Sequence, residues 1–176
     1  MAGEPARDDA THADVHAATR TAVRDDLMIG DGGIVQVQPA GMARPGGHYS
    51  HATVANGFVF VSGQLPITAD GTRLVDATFE DQARQVLENV RLALVAAGSG
   101  IDRLVQVRVY VDSLDHWPAF NALYAAWAGN ARPARAVVPT GALHFGLKVE
   151  VEAVGLAAGV AEGLADGPAS DLSSIA

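Results

Sequence analysis

The stretch ATVANGFVFVS, residues 52–62, carries the clearest structural signal in the sequence. Two runs rich in β-branched and aromatic residues, 52–55 and 58–62, flank the pair Asn56-Gly57. Asn-Gly between two such runs is a strong hairpin signal, because a type I′ turn needs a positive φ at both central positions. The stretch therefore predicts an antiparallel hairpin.

The other elements follow from hydrophobic periodicity on both sides of the hairpin. Thr78 followed by Asp81 resembles a capping box, apolar residues then recur at helical spacing, and Gly98 lies where a helix commonly ends. Valines at positions 105, 107, 109 and 111 are expected to share one face of a strand. The predicted elements are strands at 34–37, 52–55 and 58–62, a helix between Thr78 and Gly98, a strand at 104–111, a helix at about 117–127, and strands at 134–138 and 147–156.

This order of elements predicts an α+β sandwich in which two helices cover one face of a mixed β-sheet. Aromatic residues at helical spacing in the second helix are expected to pack against the sheet rather than to hold a cofactor. Because the helices cover only one face, the other face would expose apolar strand residues to water unless a partner chain covered it. The pattern therefore predicts an oligomer.

Composition and charge argue against several classes of protein. The chain has 176 residues, 12 Lys and Arg against 20 Asp and Glu, and a formal net charge of −8, with Lys148 as its only lysine. Such an acidic chain attracts phosphate backbones weakly, so we expect no nucleic-acid partner. The absence of cysteine excludes disulfides and thiolate chemistry. No apolar run approaches the ~20 residues of a membrane-spanning helix and no signal peptide is visible, so a cytoplasmic protein is expected.

Negative charge is concentrated toward the two ends of the chain. Residues 1–32 and 159–176 are rich in Ala, Asp, Gly and Ser and have little apolar periodicity. Such composition is typical of disordered arms. We therefore predict one folded domain at residues 33–158, between a disordered N-terminal arm at 1–32 and a disordered C-terminal tail at 159–176.

Two charged residues in otherwise apolar strands are the first candidates for chemistry. Arg135 lies among alanines and valines, and Glu150 lies among valines. An arginine in this setting forms either a structural ion pair or a bidentate fork for a substrate carboxylate, and both interpretations stay open. Spacing alone is equally compatible with Glu150 on a solvated face. The pair His48-x-x-His51 has no acidic third ligand nearby, so we expect no metal site.

Five short motifs occur along the predicted domain. They are HYSHA at 48–52, GFVFVSGQLP at 57–66, QARQVLENV at 82–90, PAR at 133–135 and VEVEA at 149–153. Together they resemble the signature of the RidA/YjgF family of reactive-imine deaminases. The first two motifs are similar to the opening of that signature, the third to the family's first helix, and the last two to its closing motifs.

The resemblance implies a chorismate-mutase-like α+β fold and a homotrimer, with sheets packed into a central β-barrel and active sites in clefts between subunits. The implied activity is hydrolysis of small 2-imino acids, or their enamine tautomers, to 2-oxo acids and ammonia, with no metal and no organic cofactor. At the matching positions, Arg135 is expected to hold the substrate carboxylate and Glu150 to orient the attacking water. Tyr49 and Ser62 are expected to place hydroxyl groups near the imine.

Three departures from the family pattern leave substrate choice open. Val137 stands where many members have cysteine, and His48 stands where proline often precedes the tyrosine. The segment 140–146, which contains His144, differs from the usual Leu-Pro turn. All three departures are expected to border the cleft and to affect specificity more than reaction type.

Three alternative functions are also compatible with the sequence to different degrees. One is a pathway-specific deaminase of the same family, acting on 2-aminomuconate or aminoacrylate with the same Arg135 and Glu150 in a differently shaped pocket. Another is a non-catalytic, carboxylate-binding regulatory trimer, which the retained Arg135 and Glu150 disfavour. Ribonuclease action, sometimes attached to the family name, is disfavoured by the net charge of −8.

Overall fold

A computed structural model describes residues 33–158 and the backbone of residues 27–29. The strands and helices, in chain order, are β1 (Leu27–Ile29), β2 (Val35–Val37), β3 (Ala52–Ala55), β4 (Phe58–Gln64), α1 (Phe79–Ala96), β5 (Leu104–Val111), α2 (Trp117–Ala128), β6 (Ala134–Pro139) and β7 (Val149–Leu156). Short 3₁₀ turns precede β5, α2 and β7. Among the described residues, no helix is long and apolar enough to cross a membrane.

The strands form one mixed sheet in the order β1-β2-β3-β4-β7-β5-β6. Neighbouring strands are antiparallel except β5 and β6, which run parallel and are joined by α2. A parallel pair needs such a crossover, because a tight turn only reverses the chain. Helix α1 packs on β4 and β7, and α2 packs beside α1. Both helices lie on the same face of the sheet, so the predicted α+β architecture is confirmed.

The core lies between the helices and this face of the sheet. Alternate residues of β7, including Val149 and Val151, are buried there, as are Val107, Val109 and Val111 of β5. This alternation is the period of two expected of a strand with one buried face.

The prediction that Val105 shares this buried face is wrong, since Val105 is 40% exposed. The pairing of β5 with β7 shifts register between Leu104 and Gln106, and such a bulge interrupts the regular alternation of side chains.

The predicted hairpin is confirmed in detail. Strands β3 and β4 pair with Ala55 opposite Phe58, and the two turn residues, Asn56 and Gly57, have φ angles of 48° and 76°. Strand β4 continues beyond the predicted end to Gln64, and its pairing with β7 shifts register between Val61 and Gln64. This second bulge forms part of the candidate site.

Helix α1 begins and ends where the sequence predicts. The Thr78 side chain accepts a hydrogen bond from the backbone N–H of Asp81 at 3.2 Å, which satisfies one of the unpaired donors of the first turn. At the other end, Gly98 has a φ of 72°, a left-handed conformation that glycine adopts without steric cost.

Strand β1 is an element that the sequence did not predict. Its residues pair with β2, with Met28 opposite Gln36, so positions 27–29 belong to the sheet although they fall within the predicted N-terminal arm. A strand of three residues is too short for a periodic pattern to reveal it. The rest of the predicted arm at 1–32 and the predicted tail at 159–176 lie outside the described residues.

The face of the sheet away from the helices is largely uncovered, as predicted. Phe58 and Phe60 of β4 are 41% and 46% exposed on this face. Beside them, Arg108 forms an ion pair with Glu152 at 2.9 Å, and the Tyr110 hydroxyl donates to the same carboxylate at 3.0 Å. Aromatic surface and a polar network therefore lie side by side on the open face.

Candidate active site

A cleft of about 630 Å³ opens beside the β4 bulge. Its walls come from the loop between β2 and β3, from the end of β4 and the loop that follows it, and from the turn before β7. This volume falls within the ~300–1,000 Å³ range of small-molecule sites. Tyr49, Ser62 and Glu150, three of the four residues assigned by the family resemblance, line the cleft.

Glu150 enters the cleft because the residue across from it is a glycine. A Cβ atom at Gly63 would collide with Oε1 of Glu150 and would lie 3.1 Å from its Cδ. Gly63 is part of the β4 bulge, so the local irregularity and the missing side chain together leave room for the carboxylate. Within the described residues, the Glu150 carboxylate has no ion-pair partner.

The environment of Glu150 makes it a stronger base than an ordinary glutamate. Burial raises the pKa of the Glu150 carboxyl, the positive charge that His144 can carry opposes this, and the nearby Glu152 adds a smaller increase. A carboxylate with a raised pKa accepts a proton from water more readily. The sequence offers no hint of this shift, because it arises from burial at the cleft.

Ser62 and Tyr49 both line the cleft. A hydrogen bond holds the Ser62 hydroxyl, whereas the Tyr49 ring is held by packing against His51. The Ser62 hydroxyl donates to the backbone carbonyl of Ser50 at 2.7 Å, so its oxygen is available to a ligand as an acceptor. Tyr49 is 48% exposed, and its ring meets the His51 ring edge-on with centroids 6.5 Å apart. Both residues are therefore placed to contact a bound molecule.

Arg135 lies outside this cleft, on the exposed edge strand β6. Its Nη2 donates to Oδ1 of Asn121 at 2.8 Å, and its guanidinium carbon lies 4.5 Å from the ring centre of Tyr124. Both contacts are with α2, and no carboxylate in the described part of the chain forms an ion pair with Arg135. The sequence left open whether Arg135 forms a structural ion pair or binds a substrate carboxylate. The structural ion pair is not observed in the described part of the chain.

Arg135 and Glu150 lie on opposite faces of the sheet. Arg135 pairs in register with Val107, which is buried on the helix face. Glu150 pairs with Tyr110, whose hydroxyl contacts Glu152 on the open face. Residues that pair in register share a face of the sheet. One chain therefore cannot direct both side chains toward the same bound molecule.

Two buried amides of α1, which are not among the predicted site residues, support the cleft. Nδ2 of Asn89 donates to the carbonyl oxygens of Leu65 and Ile67, both at 2.9 Å, and fixes the loop after β4. Oε1 of Gln82 accepts from the backbone N–H of Lys148 at 2.9 Å and fixes the start of β7. The sequence does contain a signal, because these two amides lie on the apolar stripe of an amphipathic helix, where a polar group needs a partner.

Only one of the three departures from the family pattern lies at the cleft of a single chain. His144 and Phe145, from the segment 140–146, line the cleft, whereas Val137 and His48 do not line it within one chain. We expected all three departures to border the cleft. Within a single chain, only the segment 140–146 does so.

The histidine pair does not form a ligand set. His48 is exposed, whereas His51 is 8% exposed and its Nε2 bonds the carbonyl oxygen of Ala43 at 2.8 Å. In the part of the chain that the structure describes, no group of three or more His, Asp and Glu residues is arranged to hold a metal ion.

Known proteins are similar to this chain in sequence and in fold. The sequence model of the family described as endoribonuclease L-PSP matches residues 41–157, more than half of the chain. Protein HMF1 of Saccharomyces cerevisiae is 39% identical over 106 residues, which cover 60% of this chain and 81% of HMF1. The crystal structure of RidA from an Antarctic Psychrobacter bacterium has a TM-score of 0.64 at 30% identity and covers 68% of this chain and 96% of that one.

A second solved structure, E. coli TdcF with bound serine, has a TM-score of 0.64 at 27% identity, covering 69% of this chain and 97% of TdcF. The family match over residues 41–157 includes the motifs at 48–52 and 57–66 and the strand that carries Glu150. The chain belongs to the endoribonuclease L-PSP family, the family of the YjgF and RidA proteins.

Proposed function

We propose that the protein is a hydrolytic deaminase that converts 2-imino acids, or their enamine tautomers, to 2-oxo acids and ammonia. Family membership supports this proposal. The observation that carries it is Glu150, a partly buried carboxylate with a raised pKa in a cleft of small-molecule size. The related TdcF structure holds serine, which has the carboxylate and nitrogen that the proposed substrate also has.

In the proposed reaction, a water molecule held by Glu150 attacks C2 of the substrate iminium, whose positive charge already makes that carbon electrophilic. The C–O bond forms, the π electrons of the C=N bond move to nitrogen, and Glu150 takes a proton from the water. Glu150 then returns this proton to the nitrogen. The C–N bond breaks while the hydroxyl proton passes through Glu150 to the departing ammonia, which leaves a 2-oxo acid and ammonium. Positioning and one base are sufficient, without a covalent nucleophile.

The substrate carboxylate needs a cationic partner, and we assign that role to Arg135 of a second copy of the chain. A guanidinium binds a carboxylate through two parallel hydrogen bonds, a geometry that lysine cannot reproduce. Since Arg135 and Glu150 lie on opposite faces of one sheet, they meet on one substrate only across an interface. Tyr49 and Ser62 then act from the same chain as Glu150.

The uncovered surfaces support an assembly of the kind that this site requires. Phe60 is 46% exposed on the open face, and most residues of β6 are exposed although they belong to a sheet. Edge strands and apolar faces of this kind are normally covered. We therefore propose a homotrimer, in which cyclic symmetry brings the Arg135 surface of each copy to the cleft of the next and the open faces form a central barrel.

Ammonia release from imines generated in situ tests the proposed function. An amino-acid oxidase acting on alanine, 2-aminobutyrate or leucine supplies the imine, and the protein should accelerate ammonia release beyond the spontaneous rate. Glu150→Gln provides the inactive control. A pathway-specific deaminase would accelerate release from one imine only. If the protein binds 2-oxo acids but accelerates none of these reactions, the proposed function is wrong, and either the non-catalytic, carboxylate-binding alternative or a deaminase specific for 2-aminomuconate is correct instead.

A further inference from the structure

The charge of the cleft is opposite to that of the whole chain. The sequence has a net charge of −8, whereas the Arg, Lys, Asp and Glu residues that line the cleft are Arg44, Arg73 and Glu150. A cationic cleft in an acidic protein concentrates anionic ligands. In the proposed reaction, the carboxylate next to the imine is already bound by Arg135 of a second copy. The arginines of the cleft itself are therefore left for another negative group.

Arg73 is held in the cleft wall by an aromatic ring. Its guanidinium carbon lies 3.7 Å from the ring centre of Phe145, the geometry of a cation–π contact. Among the described residues, no carboxylate forms an ion pair with Arg73. The ring covers one face of the planar guanidinium and leaves its N–H edge available, and that edge is what binds a carboxylate.

Phe145 adopts a backbone conformation that bulky residues rarely take. Its φ of 64° and ψ of 8° lie in the left-handed region. Strain of this kind persists only where the surrounding structure imposes it, and it is concentrated at ligand sites. Phe145 lies in the segment 140–146, where this sequence departs from the family pattern.

We propose that Arg73, positioned by Phe145, binds a second carboxylate at the end of the substrate side chain. This inference rests on the proposed deaminase function and narrows its substrate class to 2-imino acids with acidic side chains. The cleft volume of about 630 Å³ leaves room for such a side chain beyond the reacting carbon. Arg44, from the loop between β2 and β3, adds positive charge to the cleft.

Two imines of equal length test this proposal. Oxidation of glutamate gives 2-iminoglutarate, and oxidation of norvaline gives 2-iminopentanoate, which has a methyl group in place of the distal carboxylate. The protein should prefer 2-iminoglutarate by roughly tenfold or more in kcat/KM, the effect of one charge-assisted contact. Arg73→Ala should abolish this preference by lowering kcat/KM with 2-iminoglutarate to about the value with 2-iminopentanoate.

Three further variants separate position from charge. Arg84→Ala removes the same charge from an exposed site on α1, where Arg84 pairs with Asp81, and should leave the preference intact. Arg73→Lys should retain only part of it, since lysine lacks the planar fork. Phe145→Gly should weaken the preference without loss of thermal stability, because glycine accepts the left-handed conformation.

Binding of the product analogues separates failure of this inference from failure of the proposed function. Titration calorimetry should give a lower Kd for 2-oxoglutarate than for 2-oxopentanoate, and Arg73→Ala should remove that difference. If no imine is deaminated but this binding preference depends on Arg73, the inference stands and the deaminase function is wrong. If 2-iminopentanoate is deaminated and Arg73→Ala lowers both rates equally, or neither, the inference is wrong and the function stands.

Discussion

Oxygen Oε1 of Glu150 occupies the space in which a Cβ atom of residue 63 would lie. Gly63 and the Glu150 carboxylate are therefore one unit, because a side chain at position 63 and a carboxylate in this position exclude each other. The glycine of the sequence Ser62-Gly63-Gln64, at the end of β4, serves a close approach between strands rather than an unusual φ angle.

Replacement of this glycine should separate activity from folding. In Gly63→Ala, the new methyl group displaces the flexible end of Glu150, and a displacement of about 1 Å at a reacting group costs roughly a hundredfold in rate. The melting temperature should change little, because the displaced atoms are the end of a side chain. Gly41→Ala, at a glycine with open space around its Cβ position, is the matched control. Full ammonia release by Gly63→Ala would show that the carboxylate position is unimportant.

The pH dependence of the reaction should follow Glu150. Because burial raises the pKa of this carboxyl, kcat/KM should decline on the acid side with a midpoint above the ordinary glutamate value of ~4.3. In the variant Glu150→Gln, ammonia release should be lost while a 2-oxo acid still binds. An acid limb with its midpoint at or below the ordinary value would contradict the assignment.

The raised pKa of Glu150 should also make the stability of the folded protein depend on pH. A carboxyl with a raised pKa holds its proton more tightly in the folded state, so its contribution to stability is present at low pH and is lost as pH rises through the folded pKa. Glu150→Gln should therefore have a higher melting temperature than the wild type near pH 7, and the difference should shrink toward about pH 4. Thermal denaturation of both proteins across this range measures the difference, and a constant difference would refute the burial argument.

Asn89 should contribute to stability through the loop that forms the cleft. Asn89→Ala removes the donor of the Leu65 and Ile67 carbonyl oxygens, and an unpaired buried acceptor costs about 1–3 kcal/mol in free energy of unfolding. Arg84→Ala is the matched control, since the Arg84 side chain is exposed on the same helix, and it should change stability by less than about 0.5 kcal/mol. Urea denaturation measures both values. Equal losses of unfolding free energy in the two variants would mean that the hydrogen bonds from Asn89 to Leu65 and Ile67 do not stabilise the fold.

Assembly should depend on the open face of the sheet. Native mass spectrometry should give a trimer for the wild type and a monomer for Phe60→Glu, because the substitution places a charge on an apolar surface beside Glu152. The far-ultraviolet circular dichroism of the variant should be unchanged. Val95→Glu, at a residue 52% exposed on α1, is the control and should remain trimeric. A wild-type monomer, or a trimeric Phe60→Glu, would exclude this interface.

Elements with strong local signals were predictable from the sequence, whereas features that depend on pairing were not. Asn56-Gly57 and the Thr78 cap act within a few residues, so the hairpin and α1 lie where predicted. The exposure of Val105 depends on a bulge against β7, a strand that lies far away in sequence. Strand β1 exists through its pairing with β2, which no period in three residues reveals.

The candidate site was predictable only in part for the same reason. Tyr49, Ser62 and Glu150 line one cleft, whereas their roles toward a substrate stay predictions. The separation of Arg135 from Glu150 follows from the strand order β7-β5-β6 and from the faces of the paired residues, which spacing does not encode. The stack of Arg73 on Phe145 joins two loops without periodic pattern, so no local rule predicts it.

A subunit-mixing experiment decides whether Arg135 of one copy and Glu150 of another act on the same substrate. Arg135→Ala and Glu150→Gln should each fold, assemble and release almost no ammonia above the spontaneous rate. When the two variants are refolded together in equal amounts, half of the chains carry Arg135 and the other half carry Glu150. About a quarter of the interfaces then contain both residues, so the mixture should recover about a quarter of the wild-type activity. A mixture of co-assembled trimers no more active than either variant alone would contradict the composite site.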